Sequence, residues 1–409
     1  MMLQKLSVRD LEVAGRRVFV RVDFNVPLRN GRVADDTRVR ASLPTLRLIL
    51  ERGGRPILAS HLGRPKGKRV PEMSLAPVVE TLQTLTRTEV RLAPDCVGPD
   101  VEALASDLAP GRILLLENLR FHAGEEGNDP ALARSLASLA DLYVNDAFGT
   151  AHRAHASVVG VAERLPHPAA GLLMAAEVEA LSRLRDRPEK PYVAVLGGAK
   201  VSDKIDLIHN LMNSAGTILI GGAMAYTFLK ARGVPVGTSR VEADRVEHAA
   251  AIITRAMDAG VRLHLPVDHV VAATPEAGAP SHVTDGPMIG DGLVGLDIGP
   301  QTSEAFSAEI RRARTIFWNG PLGVCETPPY DEGTRVIARA VAGASAFSVV
   351  GGGDSIAAVN RLGLAPHFSH LSTGGGASLE FLAGVDLPGV RVLEDLAHEG
   401  GPGITKGSR

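Results

Sequence analysis

The sequence predicts an α/β protein of two lobes. Each lobe reads as an open, mostly parallel sheet flanked by helices, a Rossmann-like three-layer arrangement, and a hinge helix joins the two. Three observations carry this. Short runs rich in Val, Leu and Ile recur without strict alternation, as in strands buried on both faces. Stretches with helical spacing separate them, so the order strand–helix–strand repeats. The chain has 409 residues, enough for two or three domains at roughly 150 residues each.

In the first lobe the strand runs are Val18–Val22, Ile57–Ala59, Ile113–Leu116 and Leu142–Val144. One helix between them is well marked. Asp129 can cap it, Pro130 takes its first position, and Leu132, Leu136 and Leu139 share a face. In the second lobe the runs are Tyr192–Leu196, Thr217–Ile220, Arg262–Leu265, Thr315–Trp318, Phe347–Val350 and Ser369–Leu371. Between the lobes, prolines bracket an amphipathic stretch with Met174, Val178, Leu181 and Leu184 on one side. The expected division is 1–166 for the first lobe, 167–191 for the hinge helix and 192–394 for the second lobe. The tail 395–409 is expected to pack on the first lobe.

Composition narrows the function. Hydrophobic residues make up 45% and charged residues 22%, which fits a soluble globular chain and excludes disorder. With 44 basic and 46 acidic residues, binding nucleic acid through bulk charge is excluded. The two cysteines, Cys96 and Cys325, rule out a disulfide framework and fit a reducing cytoplasm. No signal peptide or membrane span is expected.

In open α/β sheets ligands bind beyond the carboxyl ends of the strands. Those ends differ sharply between the lobes. In the first lobe they are polar and cationic. Asp23-Phe24-Asn25 follows the first strand, and Arg38 lies in the loop after it. His61-Leu62-Gly63-Arg64 follows the second strand, Glu117-Asn118-Leu119-Arg120 the third, and Asn145-Asp146 with His152-Arg153 the fourth. Each arginine could pair with a nearby acid: Asp35, Asp36, Glu117, Glu125, Glu126 and Asp146 are available. The recurrence at strand end after strand end favours a pocket for a small, multiply charged anion. No His/Asp/Glu spacing suggests a metal cage, and no nucleophile elbow is present.

In the second lobe the strand ends are glycine-rich: Gly197-Gly198, Gly221-Gly222, Asn319-Gly320-Pro321, Gly351-Gly352-Gly353-Asp354-Ser355 and Gly374-Gly375-Gly376. Strand–glycine–helix turns aim backbone N–H groups and a positive dipole at an anion, so a nucleotide-phosphate cradle is expected. Lys200 and Lys204, four apart at a helix start, would face one side, and a bound phosphate would offset their repulsion. Gly290–Gly295 matches the dinucleotide fingerprint by letter, but no strand–turn–helix context surrounds it, and it is rejected. No P-loop is present.

Eight motifs taken together resemble the phosphoglycerate kinase family over about Val18–Val390. They are Arg-Val-Asp-Phe-Asn-Val-Pro (21–27), Ser-His-Leu-Gly-Arg-Pro (60–65), Glu-Asn-Leu-Arg-Phe (117–121), Asn-Asp-Ala-Phe-Gly-Thr-Ala-His-Arg (145–153), Gly-Gly-Ala-Lys-Val-Ser-Asp-Lys-Ile (197–205), Trp-Asn-Gly-Pro (318–321), Gly-Gly-Gly-Asp-Ser (351–355) and Ser-Thr-Gly-Gly-Gly-Ala-Ser (372–378). The resemblance implies a cytoplasmic monomer that reversibly moves the acyl phosphate of 1,3-bisphosphoglycerate to ADP, giving 3-phosphoglycerate and ATP in glycolysis. Mg²⁺ would be the cofactor, and the lobes would close to align the substrates.

Carried over by motif, Asp23, Phe24, Asn25, His61, Leu62, Gly63, Arg64, Arg120 and Arg153 would hold the glycerate and its non-reacting phosphate. Arg38 and Lys200 would be catalytic. Lys204, Asn319, Gly352, Gly353, Asp354 and Ser355 would hold the nucleotide phosphates, with Asp354 placing Mg²⁺. Gly221, Gly222, Gly295 and Leu296 would line the adenine slot, and Glu326 would hold the ribose. The family usually has Phe where Cys325 stands and Thr where Ser355 stands. Competing readings are a kinase of a different small acid and a non-catalytic nucleotide-binding protein. The presence of both Arg38 and Lys200 disfavours the second.

Overall fold

The computed structural model of the chain describes residues 5–396. Two compact units emerge. One ends at Glu179 and resumes at Leu387; the other runs Ala180–Asp386.

The first unit is built on a six-stranded parallel sheet of β1 (Arg17–Arg21), β2 (Arg55–Ala59), β3 (Val90–Leu92), β4 (Ile113–Leu115), β5 (Leu142–Asn145) and β6 (Ala169–Ala170). Their spatial order is β3-β4-β2-β1-β5-β6. β1 is buried from Val18 onward because the sheet is covered on both faces, which is why its apolar run does not alternate. Val18, Val20, Leu58, Ile113 and Val144 share one core with Leu46 and Ile49 of the helix Thr37–Glu51. The helix Pro130–Ala137 begins as expected: Asp129 Oδ1 accepts the N–H groups of Ala131 (3.0 Å) and Leu132 (2.8 Å). It ends two residues before Leu139, which is buried just past its end.

The second unit holds the parallel strands β7 (Tyr192–Leu196), β8 (Thr217–Ile220) and β9 (Arg262–His264). A smaller antiparallel sheet follows, of β10 (His269–Ala272), β11 (Ser281–Val283) and β12 (Val294–Ile298). The main sheet is completed by β13 (Thr315–Asn319), β14 (Phe347–Gly351) and β15 (His370–Ser372). The main order is β9-β8-β7-β13-β14-β15. In sequence order that is 3-2-1-4-5-6, the doubly wound pattern whose direction reverses between β7 and β13.

The helix Leu172–Asp186 crosses the boundary between the units. Met174, Val178, Leu181 and Leu184 are all buried along it, as their spacing predicts. Asp146 fastens its first turn, accepting the N–H groups of Leu173 (2.9 Å) and Met174 (3.3 Å). A Cβ at Gly171 would collide with that carboxylate.

The expected end of the second lobe at residue 394 differs from what is found. From Leu387 the chain belongs to the first unit. Gly389 N donates to Ala151 O at 2.8 Å, and Glu394 N to Pro168 O at 2.9 Å. Lys5 pairs with Asp395 at 2.6 Å. The tail beyond residue 396 lies outside the described residues. Among those described, no helix is long and apolar enough to cross a membrane.

Candidate functional site

In the first unit the switch in strand order falls between β1 and β5. The segments there bring Arg38, His61, Arg120 and Arg153 together, Arg38 not from a loop as expected but from the first turn of the helix Thr37–Glu51. Arg38 Nη1 reaches Asp23 Oδ2 at 2.7 Å. Asp23 Oδ1 accepts the N–H of Asn25 at 3.1 Å, and Asn25 Oδ1 accepts that of Gly63 at 2.9 Å. The carbonyl of Gly63 accepts from Arg120 Nη1 at 2.7 Å. One chain of contacts thus links Arg38, Asp23, Asn25, Gly63 and Arg120.

Of the acids considered as partners, Glu126 lies 3.3 Å from Arg120 Nε, Asp36 pairs with Arg40 and Asp146 caps a helix. Arg153 Nε donates to His152 Nε2 at 3.1 Å and has no carboxylate partner among the described residues. Arg64 is exposed and makes no ion pair with a described residue. Phe24 and Leu62 are buried in the hydrophobic core, so only their backbone is available to a ligand. Phe24 N donates to Ser60 Oγ at 2.8 Å.

Beneath these loops lies a buried network that the motifs did not single out. Arg21 Nε donates to Ser157 Oγ at 2.9 Å, and that hydroxyl donates to Glu125 Oε1 at 2.6 Å. Arg21 Nη1 donates to the Val22 carbonyl, and Nη2 approaches His61 Nδ1 at 3.2 Å. Arg21 is 1% exposed, and a buried charge must be paired. An arginine inside the apolar run of β1 was the signal available in the sequence. Burial first, then Arg21, Arg120 and Arg38, hold His61 well below its usual range. Burial first, then Arg21, Arg120 and Arg153, take His155 down to about 4. Both imidazoles are neutral at pH 7, and the positive field comes from the arginines.

In the second unit a cavity of about 200 Å³ opens at the strand-order switch. Lys200, Lys204, Asn319, Gly352, Gly353, Asp354 and Ser355 line it, together with Asp203 and Leu379. Lys204 is not on a helix with Lys200. It caps the helix Ile205–Leu211, and Lys200 stands in the loop before it. Lys204 is buried and donates to Asn319 Oδ1; desolvation lowers its ammonium to about 8 against the raising effect of Asp203. Lys200 is exposed. Ser355 is fully buried, and its Oγ accepts the N–H of Gly320 at 2.9 Å. Asp354 is exposed in the first turn of the helix Gly353–Arg361.

The expected adenine and ribose residues do not line this cavity. Gly222, at φ +64°, packs where a Cβ would meet the backbone of Gly198 and Pro321 within 3 Å. Its glycine is therefore explained by close loop packing. Gly221 abuts Leu322, and Gly295 abuts Tyr226. Leu296 packs with Ala272 and Tyr330. Glu326 is exposed, 3.4 Å from Cys325 Sγ. Cys325 is buried, and burial and Glu326 push its thiol up to about 11, so it is a packed rather than a reactive cysteine.

The family model described as phosphoglycerate kinase matches residues 8–385. A phosphoglycerate kinase of Solibacter usitatus is 55% identical over 394 residues, covering 95% of this chain and 99% of that protein. One from Thermomicrobium roseum is 56% identical over 391 residues, covering 96% and 100%. The structure of phosphoglycerate kinase from Coxiella burnetii superposes with a TM-score of 0.86 at 40% identity, covering 95% of this chain and 98% of that one. That of phosphoglycerate kinase from Pyrococcus horikoshii gives 0.85 at 33%, with the same coverage.

Proposed function

The chain belongs to the phosphoglycerate kinase family, and from that premise we propose how its own residues perform the family's phosphotransfer to a carboxyl group. The observation that carries the reading is the set of arginines at the first unit's rim. Arg21, Arg38, Arg120 and Arg153 crowd two neutral histidines, and among the described residues Asp23, Glu125 and Glu126 are the carboxylates set against these four cations. A small phosphorylated acid supplies the missing charge. Asp23, Asn25, His61, Gly63, Arg64, Arg120 and Arg153 bind and orient 3-phosphoglycerate, with Phe24 and Leu62 contributing backbone only.

The nucleotide is the other substrate. Lys204, Asn319, Gly352, Gly353 and Ser355 shape the phosphate end of its cavity. Gly221, Gly222, Gly295, Leu296 and Glu326 form the adenine and ribose side. Asp354 is an exposed carboxylate on the same wall as two lysines, a donor set that suits Mg²⁺ shared with phosphate oxygens. Bound there, Mg²⁺ would offset phosphate charge.

The attacking carboxylate of 3-phosphoglycerate is already ionised at pH 7, so no general base is required. What remains is alignment and compensation of charge on the transferring group. Arg38 and Lys200 supply it, Lys200 as an exposed cation and Arg38 as a half-buried one that would turn from Asp23 to the phosphoryl group. The two ligand sites belong to different units, so transfer requires the units to close and bring the substrates into line. The reading includes a monomer working in the cytoplasm. The two unpaired cysteines support that compartment, and the charge balance supports small-molecule partners over nucleic acid.

The test is ADP formation from Mg-ATP with and without 3-phosphoglycerate, beside Lys200→Ala. Turnover that needs the acid and vanishes in the variant supports the assignment. Turnover without the acid, or retained in the variant, overturns it.

A further inference from the structure

The loops after β3 and β4 bring together three metal-ligating groups of different chemistry. Asp95 Oδ1, Cys96 Sγ and His122 Nε2 all lie within 4.8 Å of one another. Among the described residues no other group of this kind occurs. None of the three has a part in the proposed phosphotransfer. Residues 96 and 122 are too far apart in sequence for any local spacing to have shown the group.

We propose that this is a site for a borderline divalent cation, Zn²⁺ above all. A carboxylate oxygen, a thiolate and an imidazole nitrogen hold it, and a fourth position is left to water. The ligand set is of the right kind, because zinc accepts S, N and O donors in tetrahedral array. The three atoms, within 4.8 Å of one another, need only modest shifts to enclose one ion. Bonds of about 2.1 Å to N and O and about 2.3 Å to S place N and O roughly 3.3 Å apart and N and S roughly 3.6 Å apart. The His122–Asp95 contact is now 2.6 Å, so the pair must open by roughly 0.7 Å to admit the ion.

The remaining parts are held in place. Asp95 Oδ1 accepts the N–H of Cys96 at 2.6 Å, which pins the carboxylate beside the thiol. Cys96 is fully buried, and its Sγ contacts the carbonyl of Glu117 at 3.0 Å. Burial first, then Asp95, Glu125 and Glu117 against Arg69, hold the thiol protonated without an ion, and the same carboxylates favour a cation beside it.

Without an ion, His122 Nε2 and Asp95 Oδ1 are hydrogen-bonded over a buried thiol. With one, the proton of the Cys96 thiol passes to solvent and the cation takes its place. His122 Nε2 gives up the hydrogen it shares with Asp95, so that the neutral ring binds the ion through Nε2 with its one N–H on Nδ1, and affinity rises with pH. The ion would clip the 93–98 loop to the turn that carries Arg120, two residues before His122. The proposal stands independently of the catalytic assignment.

The test is a Co²⁺ titration of the reduced, metal-stripped, nucleotide-free chain. One equivalent should give a thiolate-to-cobalt charge-transfer band with tetrahedral visible absorption, and added Zn²⁺ should bleach it. Cys325→Ser should keep the band, Cys96→Ser should lose it, and His122→Gln should weaken binding by roughly tenfold or more. No thiolate band in the unmodified chain overturns the proposal, as does a band that survives Cys96→Ser. If Cys96→Ser does not fold, His122→Gln decides alone, at a side chain only 28% exposed but near the surface. Unchanged cobalt affinity there sinks the site.

Discussion

Arg21 Nη2 lies 3.2 Å from His61 Nδ1 inside the first unit. A guanidinium can only donate, so Nδ1 must be the acceptor and the imidazole proton must sit on Nε2. The buried arginine thereby fixes which atom of His61 can donate to a ligand. It is held in turn by Ser157, which donates to Glu125. Nitrogen NMR of His61 should show the Nε2–H tautomer from pH 8 down to pH 5. An Arg21→Lys variant, without the planar fork, should lose that fixed tautomer.

The same burial makes stability depend on pH. His61 and His155 stay neutral in the folded state below their ordinary 6.5, His155 down to about 4. In that window the unfolded chain binds more protons, so these two groups make stability fall as pH falls. Asp146 and Asp297 act in the opposite sense. Burial raises them to about 7 and about 8, so the folded state binds more protons between 3.8 and those values. A variant comparison separates the contributions. Between pH 6.5 and 4, His155→Gln should flatten the acid limb of urea-derived stability by about one proton. An unaltered limb would show that His155 titrates normally.

Arg38 is half-buried and makes one ion pair among the described residues, to Asp23. Such a pair contributes about 0–1 kcal/mol. Arg38→Ala should therefore shift the thermal midpoint by less than about 4 °C. Its kcat should fall by roughly 10²–10³ or more, as for loss of a transition-state donor. A melting curve and a coupled assay check the two halves separately. A large midpoint shift with modest kinetic loss would make Arg38 structural.

How far the sequence showed these features depends on where each residue sits. Ten strands were legible, most plainly where residues such as Val18–Val20 and Val193–Leu196 are buried on both faces and leave continuous apolar runs. β3 was not, because it is three residues long with Arg91 exposed in its middle. β6 is two alanines, and β11 is exposed throughout. β12 begins inside the rejected dinucleotide fingerprint, sharing Val294 and Gly295 with it, and contains Asp297. At the site, charge recurrence at strand ends exposed the rim arginines. The contacts of Lys204 with Asn319 and of Ser355 with Gly320 join residues more than 30 positions apart, which no local spacing encodes.

Ser355 is the residue whose geometry most changes its expected role. Its hydroxyl oxygen accepts the buried N–H of Gly320, at a turn where φ is +96°. Ser355→Ala leaves that N–H unsatisfied, at about 1–3 kcal/mol. The variant should lose stability by that amount and also loosen the cavity wall, raising KM for nucleotide. Ser355→Thr keeps the acceptor and should restore most of both. If Ser355→Ala altered only KM, the hydroxyl would be acting on the ligand rather than on Gly320.

Lys204 gives the sharpest pH prediction for nucleotide binding. Desolvation lowers its ammonium to about 8, so the ligand-free site loses this cation as pH rises through 8. Phosphate binding favours the charged form, because an adjacent anion opposes desolvation. The bound protein therefore holds more protons than the free protein above pH 8. By linkage, nucleotide affinity must fall with rising pH, by up to about tenfold per pH unit for one proton. Lys204→Arg carries a side chain that stays charged, so its affinity should be flat over the same range, even if weaker at pH 7 because the fork does not match Asn319. Titration calorimetry with Mg-free ADP from pH 7 to 9.5 reads both chains directly. Parallel slopes in the two would place the titrating group elsewhere and leave Lys204 fully charged in its pocket.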